Sequence, residues 1–229
     1  MSIKIGNVTL NGNVTLAPMA GFGDVAFRRL CRDYGAALTT TEMISAKGLI
    51  YGSKKTVEML RLAPNESPSC VQLFGSEPKD FLEAVSRPEL SAFDIIDINM
   101  GCPAHKVVSN HEGSDLMRDF NRASEIIKAA VSASGGRPVT VKFRAGFYDD
   151  DICAAEFAKM AEESGAAALT VHGRTAEQGY SGFADWDIIC KIASSADIPV
   201  FGNGDVKRDT LNIRLNMTEG VAIGRGALG

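Results

Sequence analysis

The stretch ASEIIKAAVSASGGRPVTVKFR, residues 123–144, carries two periodicities in succession. Ala123, Ile126, Ile127 and Ala130 recur at the i, i+3, i+4, i+7 spacing of one helix face, and Val139 to Arg144 then reads as a β-rich run. A helix leading into a strand is the repeating unit of a parallel sheet with crossover helices. The same alternation continues outward to both ends. Strands are predicted at Val14–Ala17, Leu38–Thr41, Ser69–Phe74, Ile95–Asn99, Val139–Arg144, Ala168–His172, Val200–Gly202 and Val221–Ile223. Further stripes, expected to face the sheet, fall at Phe27, Leu30, Cys31 and Tyr34 and at Trp186, Ile189, Cys190 and Ala193. Eight strands in strict alternation predict an α/β fold, a TIM (β/α)8 barrel ending at the eighth strand, in preference to an open doubly wound sheet.

The 229 residues, 45% of them hydrophobic, suffice for one large domain with a buried core. No linker, charge block, low-complexity tract or short repeat divides them, so residues 1–229 are read as a single catalytic barrel domain. A formal charge of −4 and a pI near 5.5 exclude a generic nucleic-acid coat, because sequence-independent affinity comes from Lys and Arg on phosphates. Any RNA contact is therefore local. No apolar run of about 18 residues and no basic-then-apolar leader occurs, so a soluble cytoplasmic protein is expected. The five cysteines, Cys31, Cys70, Cys102, Cys153 and Cys190, are odd in number and scattered, which suits a reducing compartment. Most are expected to be small core residues.

In such a barrel the active site forms at the C-terminal strand ends, and unusual polar residues collect there. After the successive strands stand Ala17–Gly21 (APMAG), Thr41–Met43 (TEM), Gln72–Gly75 (QLFG), Asn99–Pro103 (NMGCP), Lys142–Gly146 (KFRAG), His172–Thr175 (HGRT), Gly202–Asp205 (GNGD) and Gly224–Gly226 (GRG). The last two follow strands seven and eight, where barrels bind phosphate through glycine-rich backbone N–H groups, and Arg225 would add a charge-assisted fork. Either glycine pair alone reads as a turn; both at the expected strands favour a phosphate. Residues 224–229 also match G-x-G-x-x-G, but neither a following helix nor the acidic partner about 20 positions on is present, and the Rossmann reading is rejected.

Alternation puts Lys142 and Arg144 on the same strand face as Thr140, aimed into the barrel mouth. Two buried cations need an anion, and a reduced flavin, negative near N1 and the C2 carbonyl, is such a partner. The other reading has both side chains snorkelling to solvent. Cys102 differs from the other cysteines because glycine and proline force a tight turn that presents its thiol at the mouth. His105 lies close by, yet His111 and His172 stand apart and no ligand spacing repeats, so no metal site is expected.

In order, these motifs resemble the tRNA-dihydrouridine synthases, FMN-dependent enzymes that reduce uridines in tRNA to 5,6-dihydrouridine. Its marks are Ala17–Gly21 with Asp24 and Phe27-Arg28, Gln72–Gly75, Asp97–Pro103, Val141-Lys142, Val171–Thr175, Gln178 with Tyr180, Asp185-Trp186, Gly202–Asp205 and Ile223–Gly229, spread over nearly the whole chain. The resemblance implies that Pro18, Met19 and Ala20 line the FMN and that Gln72 and Lys142 contact its isoalloxazine ring. It further implies that His172 adds a flavin or phosphate contact and that Asn203, Gly204, Asp205, Gly224 and Arg225 hold the ribityl phosphate end. Cys102 becomes the proton donor, Asn99 and Arg144 orient the uracil, NADPH or NADH is the reductant, and tRNA is the partner. The residue chemistry agrees. Hydride delivery to uracil C6 leaves charge on C5 and O4, and a thiol with a pKa of about 8.5 is protonated near neutral pH and can supply C5.

Two departures from the family pattern stand out. His111 occupies a position where glycine is common, and the family's C-terminal helical tRNA-gripping domain and last barrel helix are expected to be absent from this chain, which stops at Gly229. Weak tRNA binding by this chain alone is therefore expected. The alternatives are another FMN barrel acting on a small molecule, or a truncated barrel without turnover. The ordered NMGCP and HGRT motifs favour the tRNA reading.

Overall fold

A computed structural model describes residues 2–228. Eight parallel strands close into a barrel: β3 (Val14–Leu16), β4 (Leu38–Ser45), β5 (Ser69–Phe74), β6 (Ile95–Met100), β7 (Val139–Arg144), β8 (Ala168–His172), β9 (Val200–Asn203) and β10 (Gly220–Ile223). β10 pairs with both β3 and β9, which completes the ring. The predicted strands agree with these within a residue or so, except that β4 runs on to Ser45 through a register shift between Thr40 and Met43.

Period two divides each strand between two environments. On β6 and β7, Ile96, Ile98, Val141 and Phe143 face outward into the core shared with the helices, while Asp97, Thr140 and Lys142 line the barrel interior. The outer layer comprises α1 (Val25–Asp33), α2 (Ala46–Ile50), α3 (Lys54–Glu58), α4 (Pro78–Val85), α5 (His105–Val108), α6 (Phe120–Ala133), α7 (Ala154–Glu163), α8 (Trp186–Ser195) and α9 (Leu211–Leu215). The α6 stripe Ala123, Ile126, Ile127 and Ala130 is buried throughout, and Asp119 caps that helix by accepting from Arg122 N. In α8, Trp186, Ile189 and Ile192 carry the packing, while Cys190 and Ala193 are half-buried. Among the described residues no helix is long and apolar enough to cross a membrane.

The sequence reading did not anticipate an antiparallel hairpin, β1 (Ile3–Ile5) with β2 (Val8–Leu10). Its Ile3, Ile5 and Leu10 are buried with Leu38, Cys70, Ile95, Ala168, Phe201 and Ala222, and close the N-terminal end of the barrel. Strands of three residues are too short to show a period.

The α1 stripe is a correction. Tyr34 is 86% exposed and Leu30 49%, and the buried residue of the helix is Arg28, at 1%. What holds α1 inward is therefore an ion pair. Arg28 Nε meets Glu66 Oε1 at 2.5 Å, Nη1 donates to Gly23 O at 2.7 Å and Nη2 to Arg61 O at 2.6 Å. Glu66 also accepts from Thr39 Oγ1 at 2.9 Å and Ala63 N at 3.0 Å, so neither charge is left unsatisfied. Removing one partner of such a pair strands the other; Arg28→Met should cost about 3–5 kcal/mol in urea unfolding, and a loss below about 1 kcal/mol would show that the pair does not anchor the helix.

Candidate active site

The parallel register brings polar residues from neighbouring strands side by side: Gln72 lies opposite Asp97, Asp97 opposite Thr140 and Asn99 opposite Lys142. Asp97 accepts from Gln72 Nε2 at 2.7 Å and from Thr140 Oγ1 at 2.6 Å. Gln72 Oε1 accepts from Asn99 Nδ2 at 2.9 Å, and Asn99 Oδ1 accepts from Cys102 N at 2.9 Å and Gly101 N at 3.2 Å. Lys142 Nζ donates to Asn203 Oδ1 at 3.2 Å, and Asn203 Nδ2 is tied to Ala222 O at 2.7 Å. Burial, with Arg144 nearby, lowers Lys142 to about 8, Asp97 opposing the shift. Burial raises Asp97 to about 6 although Thr140, Gln72 and Lys142 all favour its charged form. Pro18, Thr40, Asp97, Thr140 and Lys142 line a cavity of about 30 Å³, room for a water.

Cys102 is half-buried just beyond β6. Its carbonyl accepts from Ser114 N at 3.1 Å and Ser114 Oγ at 3.0 Å, which folds residues 109–118 back over the turn. Gly113 permits this closure: its φ is +62°, and a Cβ there would stand 2.8 Å from Cys102 O. His111 adopts the left-handed φ of 60° that a glycine takes easily, with Nδ1 2.9 Å from Asp115 Oδ2. The departure at residue 111 thus leaves the loop closed on Cys102. Of the remaining cysteines only Cys70 is fully buried; Cys31, Cys153 and Cys190 are half-buried, a correction to the expected core placement.

Around the mouth four cations, Lys142, Arg144, Arg174 and Arg225, act on His172. Arg144 is buried and does not snorkel: Nε donates to Gly101 O at 2.7 Å and Nη1 to Thr175 O at 2.7 Å and Gly179 O at 2.8 Å. Burial lowers it to about 10. Arg174 Nη2 reaches both Asp205 oxygens at 2.8 Å, and its Nη1 lies 3.3 Å from His172 Nε2. A guanidinium only donates, so Nε2 accepts and the His172 proton sits on Nδ1. Burial first, then the four cations, hold His172 neutral far below its ordinary range. Burial opposes ionisation of Asp205, but the Ala184 N–H, Arg174 and Arg225 outweigh it and keep the carboxyl below its usual value. Arg225 and Arg144 lie 4.6 and 5.6 Å from the centre of the exposed Tyr180 ring.

Gly204, at φ +112°, sits where a Cβ would be 2.5 Å from Ala184 Cβ and 2.9 Å from His172 Cδ2. At Gly224 the space is open, with Met19 Sδ at 3.8 Å the nearest atom to a Cβ. Pro18 and Met19 are half-buried on the β3 loop beside it, and Ala20 is exposed. A glycine-lined opening among more cations than carboxylates is suited to an anionic ligand.

The sequence of residues 15–229 matches the family model described as "Dihydrouridine synthase (Dus)". The chain belongs to the dihydrouridine synthase family. Its similarity extends to a "Probable tRNA-dihydrouridine synthase" of Rickettsia bellii, 44% identical over 99% of this chain and 71% of that one. A "tRNA-dihydrouridine synthase B" of Pseudomonas aeruginosa is 39% identical over 99% and 69%. Membership makes this an oxidoreductase of tRNA dihydrouridine synthesis. The barrel is shared with solved structures of morphinone reductase (TM-score 0.69, 14% identity, 98% of this chain and 86% of that one) and of an old yellow enzyme homologue from Zymomonas mobilis (0.71, 12%, 98% and 87%).

The structure thus brings Gln72, Asn99, Cys102, Lys142, Arg144, His172, Asn203 and Asp205 into one connected set. Sequence reasoning noted Asp97 and Arg174 within its motifs but gave neither a role, and they tie that set together. Asp97 was within reach of the alternation rule, being two residues from Asn99 on the same strand. The state of His172 is open to measurement: its ¹⁵N imidazole signals should report the Nδ1–H tautomer and no titration between about pH 5 and 8, whereas a midpoint near the usual value of about 6.5 would contradict the cation-enforced neutrality.

Proposed function

We propose that this barrel reduces uridine in tRNA to 5,6-dihydrouridine with noncovalently bound FMN, a proton from Cys102, and NADPH or NADH as reductant. The observation that carries the reading is the group of cations Lys142, Arg144, Arg174 and Arg225 around neutral His172, joined to the Cys102 turn by the Arg144–Gly101 hydrogen bond. When bound, the flavin supplies the hydride to uracil C6 that it has taken from the nicotinamide. Residues 1–229 act as the catalytic domain, in the cytoplasm.

Gly204, Gly224 and Arg225 would hold the phosphate end, Gly224 through open backbone and Arg225 as a charge-assisted donor. Arg174 holds Asp205 beside them, and Asn203 steadies the Lys142 ammonium. Pro18, Met19 and Ala20 on the loop after β3, with Gln72 and Lys142, would contact the ring. Lys142 opposes negative charge at the reduced ring, and neutral His172 offers Nδ1–H as a further donor. Arg144 orients the uracil with Nη2, which has no partner among the described residues, and Asn99 does so through the turn it holds. As hydride reaches C6, the pair of electrons displaced toward C5 and O4 takes the Cys102 thiol proton at C5, leaving a thiolate that solvent reprotonates.

Cys102→Ala tests the proton donor in single-turnover oxidation of the pre-reduced enzyme by tRNA. Uracil reduction should fall by about 10²–10⁴-fold while flavin content and reduction by nicotinamide persist. Equal rates would refute the assignment, and acid precipitation that releases FAD or no flavin would refute the cofactor.

Lys142 gives a pH test. Its ammonium is present below about 8 and lost above, and a bound anion moves that midpoint upward. Flavin reduction should therefore slow as pH rises through about 8 or higher, and Lys142→Ala should be slower and lack this transition. A wild-type profile identical to that of the variant would remove Lys142 from the site.

A further inference from the structure

We propose that Asp97 is a positioning residue: as the obligate acceptor at the foot of a relay of two side-chain amides, it orients Gln72 and Asn99 and through them fixes the backbone of Cys102. The catalytic consequence rests on the proton-donor reading of Cys102; the relay itself rests on the geometry alone.

The argument is one of hydrogen-bond direction. A carboxylate only accepts, so the Gln72 group facing Asp97 at 2.7 Å must be its NH₂. Gln72 then has only its carbonyl to turn toward Asn99, and Asn99 must meet it with its own NH₂, at 2.9 Å. That leaves the Asn99 carbonyl for the N–H groups of Cys102 and Gly101, at 2.9 and 3.2 Å. Each amide can take only one of two orientations, and the acceptor at the foot selects the orientation of both. Were Gln72 alone to turn over, its carbonyl would face the Asp97 carboxylate and its NH₂ the Asn99 NH₂; were Asn99 to turn with it, the Asn99 NH₂ would face the Cys102 N–H instead. The residues concerned are almost fully enclosed, with Gln72 at 1%, Asp97 at 5% and Asn99 at 8% exposure, and neither Gln72 nor Asn99 lines the water-sized cavity beside Asp97, so a partner lost between the two amides is not readily replaced by water.

The surroundings keep Asp97 an acceptor. Burial raises Asp97 to about 6, but Thr140 Oγ1, donating at 2.6 Å from β7, Gln72 and the Lys142 ammonium offset enough of that rise to leave it a carboxylate near neutral pH. Cys70 on β5 faces it as a thiol whose own ionisation is strongly suppressed by burial and by Asp97. Asn99 in turn commits its amide to the relay and, at 3.8 Å, to Met43 Sδ. Its place in the site is to set where the Cys102 turn stands.

Amide hydrogen exchange of the flavin-loaded protein, read by NMR, provides the test. In Asp97→Ala the Cys102 N–H should exchange about tenfold faster, the worth of one hydrogen bond, while Ile98 and Val141 N–H in the flanking strands keep wild-type protection. Uracil reduction in single turnover should fall by at least the same factor, with flavin reduction by nicotinamide retained. Asp97→Asn should recover to within about threefold of wild type, because the Thr140 hydroxyl can turn to accept and leave the new amide's oxygen for Gln72. If Asp97→Ala does not fold, Gln72→Met breaks the relay one step later and must give the same loss of protection at Cys102. Unchanged exchange at Cys102 overturns the proposal. So does an Asp97→Asn variant as impaired as Asp97→Ala, which would assign the effect to charge rather than to acceptor geometry. Cys102→Ala keeps the backbone N–H: if it turns over normally the proton-donor reading fails, while the exchange result still decides the relay.

Discussion

A charge taken out of water must meet an opposite charge or a full set of hydrogen bonds within a few ångströms, and this constraint organises the barrel more than any apolar contact does. Three such solutions recur around the ring. Arg28 and Glu66 tie α1 and residues 61–66 to the loop after β3. Arg174 and Asp205 link the loops after β8 and β9, and Arg174 also accounts for the carbonyls of Ser181 and Gly182. Asp97 and Lys142 stand within the barrel itself, each shifted toward neutrality by burial. The first two pairs fix the loops at the mouth without filling it. The rim still carries more positive than negative charge, which adds to burial in keeping His172 neutral and accounts for the anionic character expected of a ligand.

The apolar framework plays the complementary part. Outward-facing Ile96, Ile98, Val141 and Phe143 lock β6 and β7 against the helices, so their inward side chains have little freedom of register. A one-residue slip in either strand would turn Asp97 or Lys142 into the helix layer, where nothing could neutralise it. The polar row and the hydrophobic packing therefore specify the same register from opposite faces of one sheet.

Much of this was legible in the sequence because each barrel strand is a short β-rich run followed by polar and glycine-rich residues. Position at a strand end was enough to collect Gln72, Asn99, Cys102, Lys142, His172 and Asn203. Features that depend on distant partners were not legible. Asp97 lies one pleat below the mouth, and its partners come from 25 and 43 residues away. The α1 stripe misled because Arg28, a residue that reads as solvent-facing, is the one drawn inward by Glu66, 38 residues on. The left-handed turn at His111 broke the expected glycine pattern, yet the Asp115 partner and Gly113 preserve the loop.

The hairpin at the barrel floor bears on how the chain reaches its native state. Ile3, Ile5 and Leu10 precede every barrel strand in the described chain, but the floor they complete includes Phe201 and Ala222, contributed near its far end. Their burial is thus a contact of nearly maximal sequence separation, and its loop-closure entropy is met only once the last strand has joined the ring. Until then the hairpin's apolar side chains have nowhere complete to go, and the unclosed barrel offers both unpaired strand edges and an uncovered floor to its neighbours. Sealing of the floor and closure of the ring are therefore late and coupled steps, and the interval before them is when this chain is most vulnerable to aggregation.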